Sequence, residues 1–197
     1  MNICVFCSSS NAVDTAFFKQ ARQLGEIIGA KGHKLVFGGS NVGLMHELAS
    51  AVKDAGGKVL GVIPERIKDK GLASEISDEL IVSTDMSERK KIMADRSDAF
   101  IALPGGFGTL EEILEVITLK QLQYHNKPVV FINTNGFYDK LMEFFEVFYK
   151  NYFAKPDYRE YYKLADSVQE AVSYLQEYKA PDFKDKWYWV GSEEFRK

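Results

Sequence analysis

Short apolar runs alternate along the chain with longer stretches in which apolar positions recur every three or four residues. Asn2 to Phe6 predicts a buried strand, and Phe17 to Ala30 a helix with Phe17, Ala21, Leu24 and Ile28 on one face. Lys34 to Phe37 predicts a strand ending at Gly38-Gly39, and Leu44 to Ala55 a helix that stops at Gly56-Gly57. Val59 to Ile63 predicts a strand closed by Pro64, followed by a polar loop or short helix over 65–77. Leu80 to Val82, Ala99 to Leu103 and Pro128 to Ile132 predict further strands. Met86 to Asp95, Thr109 to Gln123 and Phe137 to Phe148 predict the helices after them. Leu164-Ala165 ends a last short strand before a helix over Val168 to Tyr178. Strand and helix thus alternate throughout, the signature of an α/β, doubly wound parallel sheet flanked by helices. The strands are continuously apolar, as burial on both faces requires. One domain is expected over 1–180. The tail over 181–197, with Phe183, Trp187, Tyr188 and Trp189, is expected to pack on the core or on a partner chain.

Ligands of such sheets sit beyond the carboxyl ends of the strands. After Leu103 comes Pro104-Gly105-Gly106-Phe107-Gly108-Thr109-Leu110-Glu111-Glu112. Its glycines permit a sharp turn and close approach of a ligand, and the helix that follows aims its free N–H groups and positive dipole end at the same point. That geometry suits a phosphate, although no lysine follows the glycines as a P-loop needs. Thr109 to Glu112 also fits a capping box, in which Glu112 reaches back to the helix start. Capping and catalysis stand as equal readings of Glu112. At ~100° per residue, Glu111, Glu115 and Thr118 share one face of that helix.

The other strand ends add to this picture. Gly38-Gly39-Ser40-Asn41-Val42-Gly43 is a second glycine-rich junction, without dinucleotide spacing. Cys7-Ser8-Ser9-Ser10-Asn11 could hold a phosphate or sugar, or cap a helix. Cys4 and Cys7, three apart in a strand, point to opposite faces and read as small buried residues. Asp85 and Glu88 fit a variant capping box, while Arg89, Lys90 and Lys91 place cations against the positive end of a helix dipole. That cost hints at function, against the plainer reading of a solvated basic patch.

Composition narrows the ligand. With 25 Lys plus Arg against 28 Asp plus Glu, the 197-residue chain has a net charge of -3. Bulk positive charge for nucleic acid is absent, so local groups must hold an anion. No run of 18 apolar residues suggests a membrane span, and no signal peptide opens the chain. A soluble cytoplasmic protein is expected. His33, His46 and His125 are scattered, so no metal is expected, and no Gly-x-Ser-x-Gly elbow marks a serine hydrolase.

Taken together, the segment from Pro104 to Glu112, the run Asp85-Met86-x-x-Arg89-Lys90-x-x-Met93 and the stretch Gly38 to Met45 resemble one family. It is the LONELY GUY family of cytokinin riboside 5'-monophosphate phosphoribohydrolases, often mislabelled lysine decarboxylases. The resemblance spans about residues 2–150, as the extent of the matching motifs indicates. It implies a Rossmann-like fold, a homodimer, no cofactor, and hydrolysis of the N-glycosidic bond of an N6-modified AMP. It implies Arg89 and Glu112 as the catalytic pair. Substrate binding would fall to Lys90, Gly105, Gly106, Phe107, Gly108, Thr109, Leu110, Glu111 and Thr118, with Ser8, Gly39 and Glu75. Ser87, Phe107 and Ser8 replace a histidine, a tyrosine and a glycine frequent in the family. A plain AMP nucleosidase, or a non-catalytic nucleotide or cofactor carrier, are the competing readings. A pyridoxal phosphate enzyme is disfavoured, because no lysine has an identifiable Schiff-base setting.

Overall fold

The computed structural model describes residues 1–181, so the expectation for Phe183, Trp187, Tyr188 and Trp189 lies outside the described residues. Seven strands form one parallel sheet: β1 Asn2–Phe6, β2 Lys34–Phe37, β3 Lys58–Pro64, β4 Glu79–Ser83, β5 Ala99–Ala102, β6 Val129–Ile132 and β7 Lys163–Ala165. Their order across the sheet is β4-β3-β2-β1-β5-β6-β7. The chain therefore winds outward from β1 to β4, then returns to the other side of β1 with β5. Ile3 pairs Leu35 on one side and Ala99 on the other. The boundary between β1 and β5 is the point where winding reverses, and beyond the Ser8–Pro104 contact the two chains leave for opposite faces of the sheet, with a crevice between them.

The helices are α1 Thr15–Ala30, α2 Gly43–Asp54, α3 Glu65–Lys68, α4 Met86–Asp95, α5 Phe107–Gln121, α6 Asp139–Lys150 and α7 Val168–Glu177. Successive strand residues feed opposite cores. Ile3, Val5 and Cys7 pack with Leu24 and Ile28 of α1, Leu48 of α2 and Val172 of α7. Cys4 and Phe6 pack with Met93 of α4, Ile113 and Val116 of α5, and Phe145 and Tyr149 of α6. Burying each large apolar side chain contributes about 1.5–3 kcal/mol, which is why both faces of the strands read as apolar. The two cysteines are buried on opposite faces, as their spacing predicts. Among the described residues no helix is long and apolar enough to cross a membrane.

The segment after β3 forms a single turn of helix, α3, as the expected loop or short helix over 65–77 allows, and then a loop pinned to the β2–α2 junction. Ser74 N–H donates to Gly39 O at 2.8 Å, and Asn41 N–H to Leu72 O at 2.9 Å. The helix after β5 begins at Phe107, two residues before the expected Thr109.

Candidate active site

Four segments converge on the β1/β5 crevice and enclose a cleft of about 490 Å³, a usual size for a small-molecule site. Ser8, Ser9 and Ser10 follow β1, and Gly38, Ser40, Val42 and Met45 follow β2. Ile67 and Leu72 come from α3 and its loop, and Gly106 to Thr109 from the start of α5. Arg89 and Glu112 lie at its floor. They are 6% and 7% exposed, low values for charged side chains.

Arg89 is the fourth residue of α4. That helix is aimed by its own start: the Asp85 carboxylate accepts from Glu88 N–H at 2.8 Å. The Glu88 carboxylate in turn accepts from the Thr84 amide and hydroxyl, both at 2.7 Å. Asp85 caps as expected, while the return arm from Glu88 closes on Thr84, one residue before the N-cap. So held, Arg89 turns under the sheet end, donates Nε–H to Val62 O at 3.1 Å and pairs through Nη1 with Glu112. A Cβ on Gly38 would overlap its other terminal nitrogen, so a side chain at that position would exclude the guanidinium.

Glu112 sits on α5 and does not cap it. The N-cap is Gly106, which has no side chain to bond the first turn. Thr109 lies inside the helix with its side chain against Gly105, and the Glu112 carboxylate accepts from Arg89 instead of reaching back. Of the two readings of Glu112, capping is therefore excluded by the earlier helix start. Burial pushes the Glu112 carboxyl above the ordinary glutamate range, and the Arg89 charge beside it pulls back without cancelling the rise. The result is a carboxylate that is basic for its type and open to the cleft.

The N–H groups of the first turn of α5 lack intrahelical partners by geometry and receive no side-chain cap. Phe107, Gly108 and Thr109 all line the cleft, so these donors and the helix dipole face its space. Opposite stands an apolar wall of Val42, Met45, Ile67, Leu72 and Met86. The serine loop is fixed by its own turns, with Ser8 Oγ accepting from Ser10 N–H at 3.1 Å. It is seated on α2 through Leu44 N–H to Ser8 O at 3.0 Å and Gly43 N–H to Asn11 Oδ1 at 2.8 Å.

Comparison with known proteins agrees with this arrangement. The family model described as possible lysine decarboxylase matches residues 45–175. The cytokinin riboside 5'-monophosphate phosphoribohydrolase LOG5 of Arabidopsis thaliana is 43% identical over 177 residues, covering 90% of this chain and 78% of its own. LOG2 of the same plant, with the same activity in its name, is 41% identical over 189 residues, 95% of this chain and 89% of its own.

The chain belongs to the LONELY GUY family.

Among solved structures, the molybdenum cofactor binding protein of Rippkaea orientalis superposes with a TM-score of 0.69 at 27% identity, covering 89% of this chain and 94% of its own. The molybdenum cofactor carrier protein of Chlamydomonas reinhardtii gives 0.69 at 26%, covering 89% and 96%. No lysine is among the described residues lining the cleft.

Of the residues implied by the resemblance to LONELY GUY proteins, Arg89, Glu112, Ser8, Gly106, Phe107, Gly108 and Thr109 come together in the cleft. Phe107 stands at its lip, 93% exposed. Gly105 lies directly beneath, packed on Thr109. The others stand outside the lining. Lys90 pairs with both Glu111 and Glu115, clamping α4 to α5 behind the Arg89–Glu112 pair. The three cations at the start of α4 are thus all paired, Lys91 with Asp95, which offsets their cost against the dipole. Leu110 is half-buried on α5, packed against the core. Gly39 takes a left-handed conformation, φ +71°, and anchors the loop after α3. Glu75 is exposed on that loop. Thr118 donates its hydroxyl to Leu114 O at 2.8 Å and lines a separate aromatic groove with Phe145, Tyr149 and Tyr158. Two contributions were not read from sequence: the room that Gly38, within the second glycine-rich junction, leaves for the guanidinium, and the Val62 carbonyl, which orients it. A glycine at a strand end signals the first; a backbone atom carries no residue signal at all.

Proposed function

We propose that this chain hydrolyses the N-glycosidic bond of nucleoside 5'-monophosphates, N6-substituted AMP foremost, to the free base and ribose 5-phosphate. One observation carries the proposal: a buried Arg89–Glu112 pair opens onto the same cleft as an uncapped helix N-terminus. The names of the curated relatives point the same way. In this reading the 5'-phosphate lies on the amides of Gly106 to Thr109 with the Ser8 hydroxyl. The base lies toward Met45, Ile67, Leu72 and Met86, whose apolar surface suits a purine and a hydrophobic N6 substituent.

As the bond from C1' to the base nitrogen breaks, its electron pair leaves with the base and positive charge builds on the sugar. The Glu112 carboxylate stabilises that charge and takes a proton from the water whose oxygen bonds to C1'. The departing base acquires its proton from solvent. Arg89 keeps Glu112 ionised and aimed; always charged itself, it is a poor proton donor. Lys90, Glu111, Leu110, Gly39 and Gly105 support the frame of the site from outside its lining, and Glu75 stands exposed on the loop after α3.

Homodimerisation is supported by apolar side chains left exposed, among them Leu114 of α5, Phe144 and Val147 of α6, and Phe153. In that assembly Thr118 would face the partner chain. Two free cysteines accord with a reducing cytoplasm. Sedimentation at several concentrations tests the dimer.

The decisive assay compares release of base from isopentenyl-AMP and AMP by the purified chain, and by its Glu112→Gln and Arg89→Ala variants. Release slowed by about 10²-fold or more in both variants is expected; release at the wild-type rate by either would overturn the assignment. A second reading, carriage of a nucleotide or cofactor without turnover, draws on the likeness to the two molybdenum cofactor proteins. Tight nucleotide binding with no release of base would favour it.

A further inference from the structure

Tyr138 lies outside the cleft, yet its hydroxyl ends beneath it. The side chain is 1% exposed, and its hydroxyl donates to Leu103 O at 2.7 Å. Leu103 is the residue before Pro104-Gly105-Gly106, and β5 has already ended at Ala102. Ala102 is the last β5 residue paired with β6. Along the β1 edge Leu103 N–H donates to Phe6 O at 3.0 Å, and Ser8 N–H bonds Pro104 O at 3.3 Å rather than Leu103 O. Tyr138 supplies the donor for the Leu103 carbonyl. The peptide that launches the glycine loop is thereby fixed from both flanks.

Tyr138 is itself held on several sides. Its ring meets Phe131 edge-on at 5.0 Å and Phe137 at 5.0 Å. Its amide donates to Asn133 Oδ1 at 2.8 Å, and Asn133 Nδ2 donates to Asp139 Oδ1 at 2.7 Å. The turn between them includes Asn135 at φ +55° and Gly136 at φ +71°. Two left-handed residues in succession are uncommon, and they set Tyr138 at the start of α6 facing the sheet end. Burial, and then the neighbouring Cys7, push the phenol well above the ordinary tyrosine range, so it remains a donor at all working pH.

We infer that Tyr138 is a positioning residue: its hydroxyl sets the Leu103–Pro104 peptide so that the loop and first turn of α5 present their amides to the phosphate. This rests on the hydrolase reading above. Tyr138→Phe keeps the ring and removes only the hydrogen bond. The expected result is a ~5-fold rise in KM for isopentenyl-AMP and a matching rise in Ki for ribose 5-phosphate, with kcat within about twofold of wild type. A lowered Tm with both constants unchanged would mean that Tyr138 merely packs, and would overturn the inference. Should Tyr138→Phe fail to fold, Asn133→Ala loosens the same residue through its amide. A parallel rise of about threefold in both constants then supports the role, and none overturns it. Failure of the hydrolase reading appears elsewhere, as a wild-type chain that releases no base. Calorimetry with inorganic phosphate on wild type and Tyr138→Phe then reads the loop by itself, and equal Kd values overturn the inference.

Discussion

Gly38→Ala separates the geometry of the pair from the stability of the fold. Gly38 keeps a backbone angle that any residue adopts, so alanine there introduces no backbone strain. The whole effect is steric. Its Cβ would overlap Arg89 Nη2 and stand 3.4 Å from Cζ and 2.9 Å from Met45 Sδ. Met45 can turn away. The guanidinium must retreat by about 1 Å to reach ordinary contact distance. It is tethered, however, by Nε to Val62 O at 3.1 Å and by Nη1 to Glu112. Hydrogen bonds to charged groups are worth about 1.5–3 kcal/mol, and stretching rather than breaking these costs roughly 2 kcal/mol in all. For a chain of this size that is a fall of about 4–8 °C in Tm. Catalysis suffers more, because ~1 Å of misplacement costs about 10²-fold. The assay is kcat/KM for isopentenyl-AMP alongside thermal melting. Gly56→Ala is the matched control: Gly56 has φ +78° with nothing within 4 Å of a new Cβ, and it lies past the far end of α2. It should lose about 1–2 kcal/mol through strain alone and leave kcat/KM intact. A Gly38→Ala enzyme with near-wild-type kcat/KM and Tm would refute the argument that the guanidinium fills that space.

Further outcomes follow from the same groups. Because burial raises the Glu112 carboxyl, kcat/KM should fall on acidification at a pH above 4.5; a profile flat down to pH 4.5 contradicts this. Glu112→Gln should cut kcat by ~10²–10⁴ in single-turnover measurements. Lys120, buried with its ammonium on Tyr161 O at 3.0 Å and Tyr178 Oη at 2.9 Å, is brought down by burial to about 8. Above that value the unfolded chain holds a proton the folded chain has lost, so stability rises with pH until free lysines titrate near about 10.4. Melts at about pH 7.5 and about pH 9.5 should show Tm higher by ~2 °C or more at the latter, and Lys120→Met should abolish the difference. Ile67→Ser should lower kcat/KM for isopentenyl-AMP ~3–10-fold more than for AMP, since the removed methylenes face the apolar wall.

The strands were readable because residues buried on both faces must be apolar from end to end, as Val129 to Ile132 are. The glycine loop after Leu103 was readable because turn, close approach and helix start each leave a local mark. The true start of α5 was not. Gly-Phe-Gly has poor helix propensity, and Thr109-x-x-Glu112 imitates a capping box, so local chemistry pointed two residues too far. Arg89 and Glu112 lie 23 residues apart, and only the family motif joined them in advance. Helical phase put Glu111, Glu115 and Thr118 on one face, but it did not show that Lys90 closes on the two glutamates while Thr118 ends in another groove. Helical phase fixes direction around an axis but not what lies opposite. Gly38 and Tyr138 act through contacts between segments distant in sequence, which leave no periodic trace.

A net charge of -3 raises a specific difficulty for the proposed function, in which the site accepts a phosphate beside a buried carboxylate. Arg89 pairs with Glu112, so the floor of the cleft presents little net charge. In the proposed reading, attraction for the phosphate comes from amides and a helix dipole, which add nothing to the formal charge of the chain. The two functions are therefore carried by different atoms. Damage to the loop, as in Tyr138→Phe, should appear in KM, and damage to the pair, as in Glu112→Gln, in kcat. A long-range basic field could not be divided in this way, since every lost cation would weaken capture and chemistry together.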